Sequence, residues 1–152
     1  MTKSDIAAQL GFELHTTARL LKRNFDRRAK THGLTRSRWQ VLWILNRNEG
    51  MKQAALAERM DVAPITLTRQ IDLLETEGLV ERRQDPQDRR CFRIFLTAAA
   101  APVLEILQGL AAETRGQALS GITADEQRQL MNLLSRVHQN LTREEVPSGD
   151  DA

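Results

Sequence analysis

The sequence predicts a mainly α-helical fold with one small β-hairpin, on three observations. Apolar residues recur at helical steps over most of the 152 residues. Between Gln53 and Gly78 the helical segments become short and sit on either side of a tight turn. From Leu79 to Thr97 the period falls to two around a polar break.

The first element is a long helix. Ile6, Leu10, Leu14, Leu21 and Phe25 form its apolar stripe, and Ser4 is its candidate N-cap. The opposite side carries Arg19, Lys22, Arg23 and Arg27, which on the plainest reading is a solvated face. A second helix should start at Thr35 and run to about Asn48, with Trp39 and Trp43 one turn apart and Glu49-Gly50 as its stop. The segment QAALAERM, residues 53–60, spaces Leu56, Ala57 and Met60 helically, and its alanines let a neighbouring helix approach closely. Asp61 supplies a turn. Pro64 suits the first turn of the next helix, Leu67, Ile71 and Leu74 make its buried stripe, and Gly78 ends it. Thr66, Thr68, Arg69 and Asp72 are expected to face outward.

Two short helices joined by a tight turn, the second exposing hydroxyls and an arginine near its N-terminus, form a helix-turn-helix pattern. A helix fits the roughly 12 Å major groove, where threonines reach phosphate or base methyls and arginine reaches guanine edges. Taken alone the pattern is weak, because many helical proteins contain such a pair. The following segment adds weight. Leu79-Val80 opens a strand, QDPQD with Pro86 turns the chain, and Phe92, Ile94 and Leu96 alternate with Arg93, Phe95 and Thr97. Five arginines, Arg82, Arg83, Arg89, Arg90 and Arg93, crowd this hairpin. Arg89 and Arg90 at its tip suit a wing that lays guanidinium groups on phosphates or into the minor groove. The competing reading is that these charges only solvate a hairpin, and Arg82 and Arg83 fit either.

Net charge is only +2 and says little by itself. Residues 1–34 carry 7 basic and 3 acidic groups, residues 35–97 carry 11 and 9, and residues 98–152 carry 4 and 8, so the positive charge lies in the first two-thirds. No apolar run has the length of a signal peptide or a membrane span, which predicts a soluble, cytoplasmic protein with no membrane partner. The single cysteine, Cys91, has no partner for a disulfide, and no clustered Cys/His spacing points to a metal. HExxH, GxSxG, GxGxxG and P-loop motifs are missing, so neither catalytic residues nor a cofactor are expected.

The chain resembles the MarR (multiple antibiotic resistance regulator) family of winged-helix transcription factors. The Asp-x-Arg-x-x-Arg wing signature stands here as Asp88, Arg90 and Arg93 in DRRCFR, after GLVERRQDP and before LT. The likeness also runs through LTRSRWQVLWIL, LAERMDVAPITLTRQIDLLETEGLV and TRGQALSGITADEQRQLMNLL, covering about residues 6–141, and is nearest the SlyA branch. It implies a winged helix-turn-helix domain over residues 35–97, a dimerisation helix over 1–34 and further dimerisation helices over 98–142. Residues 143–152 are read as a disordered acidic tail.

The resemblance places DNA contacts on the recognition helix at Ala63, Pro64, Ile65, Thr66, Thr68 and Arg69, and on the wing at Asp88, Arg89, Arg90 and Arg93. Asp88 is expected to orient Arg90 or Arg93 rather than touch phosphate. Three positions depart from the family's habit. Ala63 replaces a capping serine, at a cost of about 1 kcal/mol. Asp61 replaces a turn glycine, and Ile65 stands where a small polar residue is common.

Val103, Ile106, Leu107 and Leu110 form one C-terminal stripe. Leu130, Leu133, Leu134, Val137 and Leu141 form another, after a capping box at Thr123 and Glu126. The resemblance implies that these helices interlock with a second copy, giving a homodimer on a palindromic double-stranded operator. It also implies a cleft for a small aromatic acid, for which Trp39, Trp43 and Arg19 are the candidate walls and cation, although tryptophans one turn apart are more often core. His15 carries little weight as a site. A redox role for Cys91 is disfavoured, because oxidation-sensing relatives keep their cysteine near the first helix. The leading expectation is a dimeric repressor released by an aromatic ligand. A helical protein-interaction protein or a non-specific architectural DNA binder is the alternative.

Overall fold

The structure, a computed structural model, describes residues 2–143. All of the expected acidic tail beyond residue 143 lies outside the described residues. Two compact units divide the chain, residues 1–115 and residues 116 onward.

In the first unit, α1 (Lys3–Lys30) is capped by Thr2, which corrects the assignment to Ser4. The Thr2 hydroxyl accepts the Asp5 amide and the Asp5 carboxylate accepts the Thr2 amide, so two orphan donors are satisfied reciprocally. Ser4 has only Ala7 three residues on, which cannot return such a bond. Arg27, Arg28 and Lys30 occupy the last turn, where cations complement the helix dipole. Next, α2 (Arg36–Arg47) buries Trp39, Val41, Leu42 and Leu45.

A two-residue strand that the sequence did not announce, β1 (Met51–Lys52), precedes α3 (Gln53–Met60) and α4 (Pro64–Thr76). The hairpin follows as β2 (Val80–Gln84) and β3 (Phe92–Leu96). The result is a three-stranded antiparallel sheet in the order β1-β3-β2, with Ile94 opposite both Met51 and Arg82. Gly50 explains why β1 can pair at all. Its φ of +78° suits glycine, a Cβ there would stand 3.1 Å from the Phe95 ring, and its amide donates to the Ile94 carbonyl at 3.0 Å.

Leu42, Leu45, Leu56, Leu67, Ile71, Leu74, Val80 and Ile94 are fully buried and join the three short helices to the sheet. Each contributes about 1.5–3 kcal/mol through removal from water. The last helix to reach this unit, α5 (Ala100–Ala118), buries Leu104, Leu107, Leu110 and Thr114. That stripe corrects the expected one, since Ile106 is exposed and Val103 only partly covered. Leu104 lies on the Leu107–Thr114 side of the helix, and Ile106, one residue from Leu107, is turned about 100° away from it.

The second unit contains α6 (Ala124–Thr142), which opens with the Thr123–Glu126 capping box. No described residue of α6 is buried, and Leu130, Leu133, Leu134, Val137 and Leu141 are all exposed.

Candidate nucleic-acid interface

The turn between α3 and α4 is made by Asp61, which adopts φ 53° and ψ 48°, the left-handed conformation that Asp tolerates better than most residues. The Val62 amide then returns to the Ala57 carbonyl at 3.1 Å and closes α3. Ala63 caps α4 with its backbone alone, and Pro64 takes the first helical position, where its missing N–H costs nothing. Burial of Leu67, Ile71 and Leu74 fixes the rotation of α4. Ala63, Pro64, Ile65, Thr66 and Arg69 remain exposed. The Arg69 side chain has no hydrogen bond or ion pair among the described residues.

Thr68 departs from the outward face expected of it, whereas Asp72 keeps that face. The Thr68 hydroxyl donates to the Pro64 carbonyl at 2.9 Å and accepts from Gln53 Nε2 at 3.0 Å, so it locks α4 onto α3. Asp72 is exposed but accepts Arg82 Nη1 at 2.6 Å. Arg82 itself is mostly covered. Its Nε donates to Gln53 Oε1 at 3.1 Å, Nη2 to the Thr68 carbonyl at 3.1 Å and Nη1 to Glu75 Oε1 at 3.2 Å, while its amide donates to Glu75 Oε2 at 3.0 Å. One guanidinium therefore ties β2, α3 and α4 together. Arg83 faces the other way, stacked 4.0 Å over the Phe95 ring and paired with Glu81.

The wing tip spans residues 85–91. The Asp85 amide donates to the Cys91 carbonyl at 2.9 Å and the Cys91 amide to the Asp88 carbonyl at 3.0 Å. Asp88 Oδ1 accepts the Arg90 amide at 3.1 Å, and its Oδ2 lies 3.5 Å from Cys91 Sγ. Those bonds hold the Asp88 carboxyl below the usual Asp range, the Arg90 amide contributing most. Arg90 Nε is only within 3.5 Å of Asp88, and its side chain is 93% exposed. Arg89 is exposed as well, and its guanidinium has no partner among the described residues.

Arg93 belongs to a different arrangement, and Asp88 does not hold it. In the sheet register Arg93 stands directly opposite both Lys52 and Arg83, three cations in one row. Like charges facing each other across strands are destabilising. Asp85, almost fully buried, answers two of them, at 3.3 Å from Arg93 Nε and 3.5 Å from Lys52 Nζ, and Arg93 Nη1 also donates to the Gly50 carbonyl at 3.1 Å. The Asp85 carboxyl is held below the usual Asp range, first by the Gln87 amide at 2.9 Å and then by Arg93 and Lys52, against the opposing effect of burial. Arg93 anchors the base of the wing through Asp85 and the Gly50 carbonyl.

A separate cleft of about 230 Å³ is lined by Leu21, Lys22, Phe25, Trp39, Trp43, Ala111, Thr114 and Arg115. Both expected tryptophans are there, Trp39 donating Nε1–H to Asp26 at 2.7 Å and meeting Phe25 edge-on at 4.6 Å. Arg19 is not on its wall. It points roughly a third of a turn around α1 from the face shared by Leu21, Lys22 and Phe25. Lys22 and Arg115 are the cations at this cleft. His15 is exposed on α1, and Cys91 is half-buried. Among the described residues no cluster of His, Cys, Asp or Glu could hold a metal, and no helix is long and apolar enough to cross a membrane.

The internal roles of two side chains, Arg82 and Asp85, were not expected from the sequence, and both had a signal. Period-two alternation from buried Val80 puts Arg82 on the helix-facing side of β2. The Asp85-Pro86-Gln87 run is an Asx turn, in which the carboxylate accepts the amide two residues on.

A model of the MarR family matches residues 34–92, the span from two residues before α2 to the first residue of β3. The solved transcriptional regulator PA3341 is 36% identical, with 87% of this chain and 97% of that one covered at a TM-score of 0.75. Wild-type MarR from E. coli in its apo form is 26% identical over 84% of this chain and 95% of its own, with a TM-score of 0.77. A cysteine-to-serine variant of E. coli MarR complexed with operator DNA is 25% identical over 90% and 99%, at 0.72. The fold, the helix pair and the three-stranded wing agree with this likeness, and the chain belongs to the MarR family of winged-helix transcriptional regulators.

Proposed function

We propose that this protein is a cytoplasmic homodimer of the SlyA-like branch that binds a palindromic double-stranded operator and represses transcription by occupying the promoter. The observation that carries the reading is the separation of its arginines. Arg82 and Arg93 are spent on internal partners, whereas Arg69 on the outer face of α4 and Arg89 and Arg90 at the wing tip have little or nothing to hold within the chain. Unspent guanidinium groups on a helix and a neighbouring loop suit groove edges and phosphates. The operator complex of the E. coli MarR variant supports the same partner by likeness.

Dimerisation is supported by α6, whose large apolar residues have no cover, and by exposed Ile6, Leu10 and Phe12 on α1. A twofold pair would present two recognition helices to half-sites about one helical turn apart. Release by a small aromatic acid is supported by the cleft beside Trp39 and Trp43, with aromatic walls and Lys22 and Arg115 for a carboxylate. Selection of bound duplexes from a genomic fragment pool tests this reading. An inverted repeat is expected, and recovered duplexes without a shared motif would remove sequence-specific control.

A further inference from the structure

At 100° per residue, the buried stripe Leu67–Ile71–Leu74 of α4 points roughly 180° away from the midpoint between Ile65 and Arg69. Those two residues, one turn apart, define the most outward line of the helix. Arg69 is polar and unspent. Ile65 is an aliphatic side chain, 62% exposed, preceded by exposed Ala63 and Pro64. A single exposed isoleucine is ordinary on a protein surface. Here it crowns a continuous apolar tip, Ala63-Pro64-Ile65, at the end of α4 that also carries Thr66 and Arg69.

We infer that Ile65 is a specificity-determining residue that reads the C5-methyl group of a thymine in the major groove. The inference rests on the DNA-binding reading above and deepens it. Four base-pair orientations are distinguishable in the major groove, and only thymine offers an apolar group there. An isoleucine set against the amino group of cytosine or adenine would strip water from a donor and return no hydrogen bond, which is unfavourable. Set against a thymine methyl, the same side chain buries two apolar surfaces together. The neighbouring cations, Arg69 one turn on and Arg90, which lines a cavity together with Pro64, supply the charge complementarity that brings the groove to this apolar tip. Because Ile65 packs on nothing within the described core, its identity is available to set sequence preference without disturbing the fold.

The test uses the full chain and a duplex selected from genomic fragments, with each thymine replaced in turn by deoxyuridine. That change removes the methyl and leaves base pairing intact. Removal of one contacted methyl should weaken the wild-type protein about 4-fold, and about 15-fold when made in both half-sites. The exposed-site variant Ile65→Ser should bind the thymine and deoxyuridine duplexes equally. Indifference of the wild-type protein to every replacement, or an undiminished loss in Ile65→Ser, would overturn the role of Ile65 while leaving DNA binding intact. Failure to select or bind any duplex would overturn the DNA-binding reading and this inference with it.

Discussion

Arg82 Nη1 lies 2.6 Å from a carboxylate oxygen of Asp72, joining the first hairpin strand to α4. The same guanidinium reaches Gln53, Glu75 and the Thr68 carbonyl, so one side chain adds a polar tie between α4 and the sheet to the burial of Leu67, Ile71 and Leu74. Arg82→Ala should lower unfolding free energy by about 1–3 kcal/mol, read from denaturant titration. Arg82→Lys should recover only part, because an ammonium cannot span four acceptors in a planar fork. Wild-type stability in Arg82→Ala would mean that the hub contributes only geometry.

Asp85 gives the wing an acid-sensitive base. Its carboxyl titrates below its unfolded value, so its contribution is fully present above about pH 4 and is lost as pH falls through the lower, folded value. Asp5 and Asp88 shift in the same direction and share that window. Asp85→Asn should show a lowered thermal midpoint at pH 7 and a shallower further loss on acidification, measured by circular dichroism. A variant with the wild-type acid profile would remove Asp85 from this account.

Gly50 combines a left-handed backbone with a tight approach to the Phe95 ring. Gly50→Ala should cost about 1–2 kcal/mol from the backbone alone, with the ring contact adding to it. The loss should appear chiefly in amide exchange of β1 and β3. Uniform exchange across the sheet would argue against a local effect.

The division of labour among arginines predicts two kinds of loss. Arg90→Ala should weaken all duplexes alike and reduce the slope of log affinity against log salt by about 1 per protomer. Arg69→Ala should instead change preference at one base pair by about 1–3 kcal/mol. Titrations on the selected duplex and its single-position variants separate the two, and identical patterns from both changes would contradict the assignment.

At the aromatic cleft, a small aromatic acid such as salicylate should quench tryptophan fluorescence. Lys22→Ala should weaken that titration several-fold, on the scale of one exposed charge contact of up to about 1 kcal/mol. Arg19→Ala should leave it unchanged, because Arg19 is off the wall. Equal losses from both would favour a general electrostatic effect.

Much of this architecture was legible in the sequence because local rules agreed with the tertiary solution. The stripe Leu67–Ile71–Leu74, the turn at Asp61 and the alternation around Ile94 each follow from periodicity or backbone preference alone. β1 was not legible, because two residues carry no period and its pairing depends on a distant strand. The partners of Arg93 were hidden for a related reason. Lys52, Arg83 and Arg93 become neighbours only once the register is known, and only then does a buried Asp85 become necessary. That Arg19 does not line the cleft beside Trp39 and Trp43 follows from helical phase, which the sequence contained but which needed the position of the two tryptophans to be read.

The most direct test of the central claim is the affinity ratio between a selected inverted-repeat duplex and a scrambled duplex of the same composition, measured at near-physiological salt. Sequence-specific recognition predicts a ratio of about 10³ or more. A ratio near one, or binding too weak to measure for both, would contradict the assignment of α4 and the wing as a reader of operator DNA.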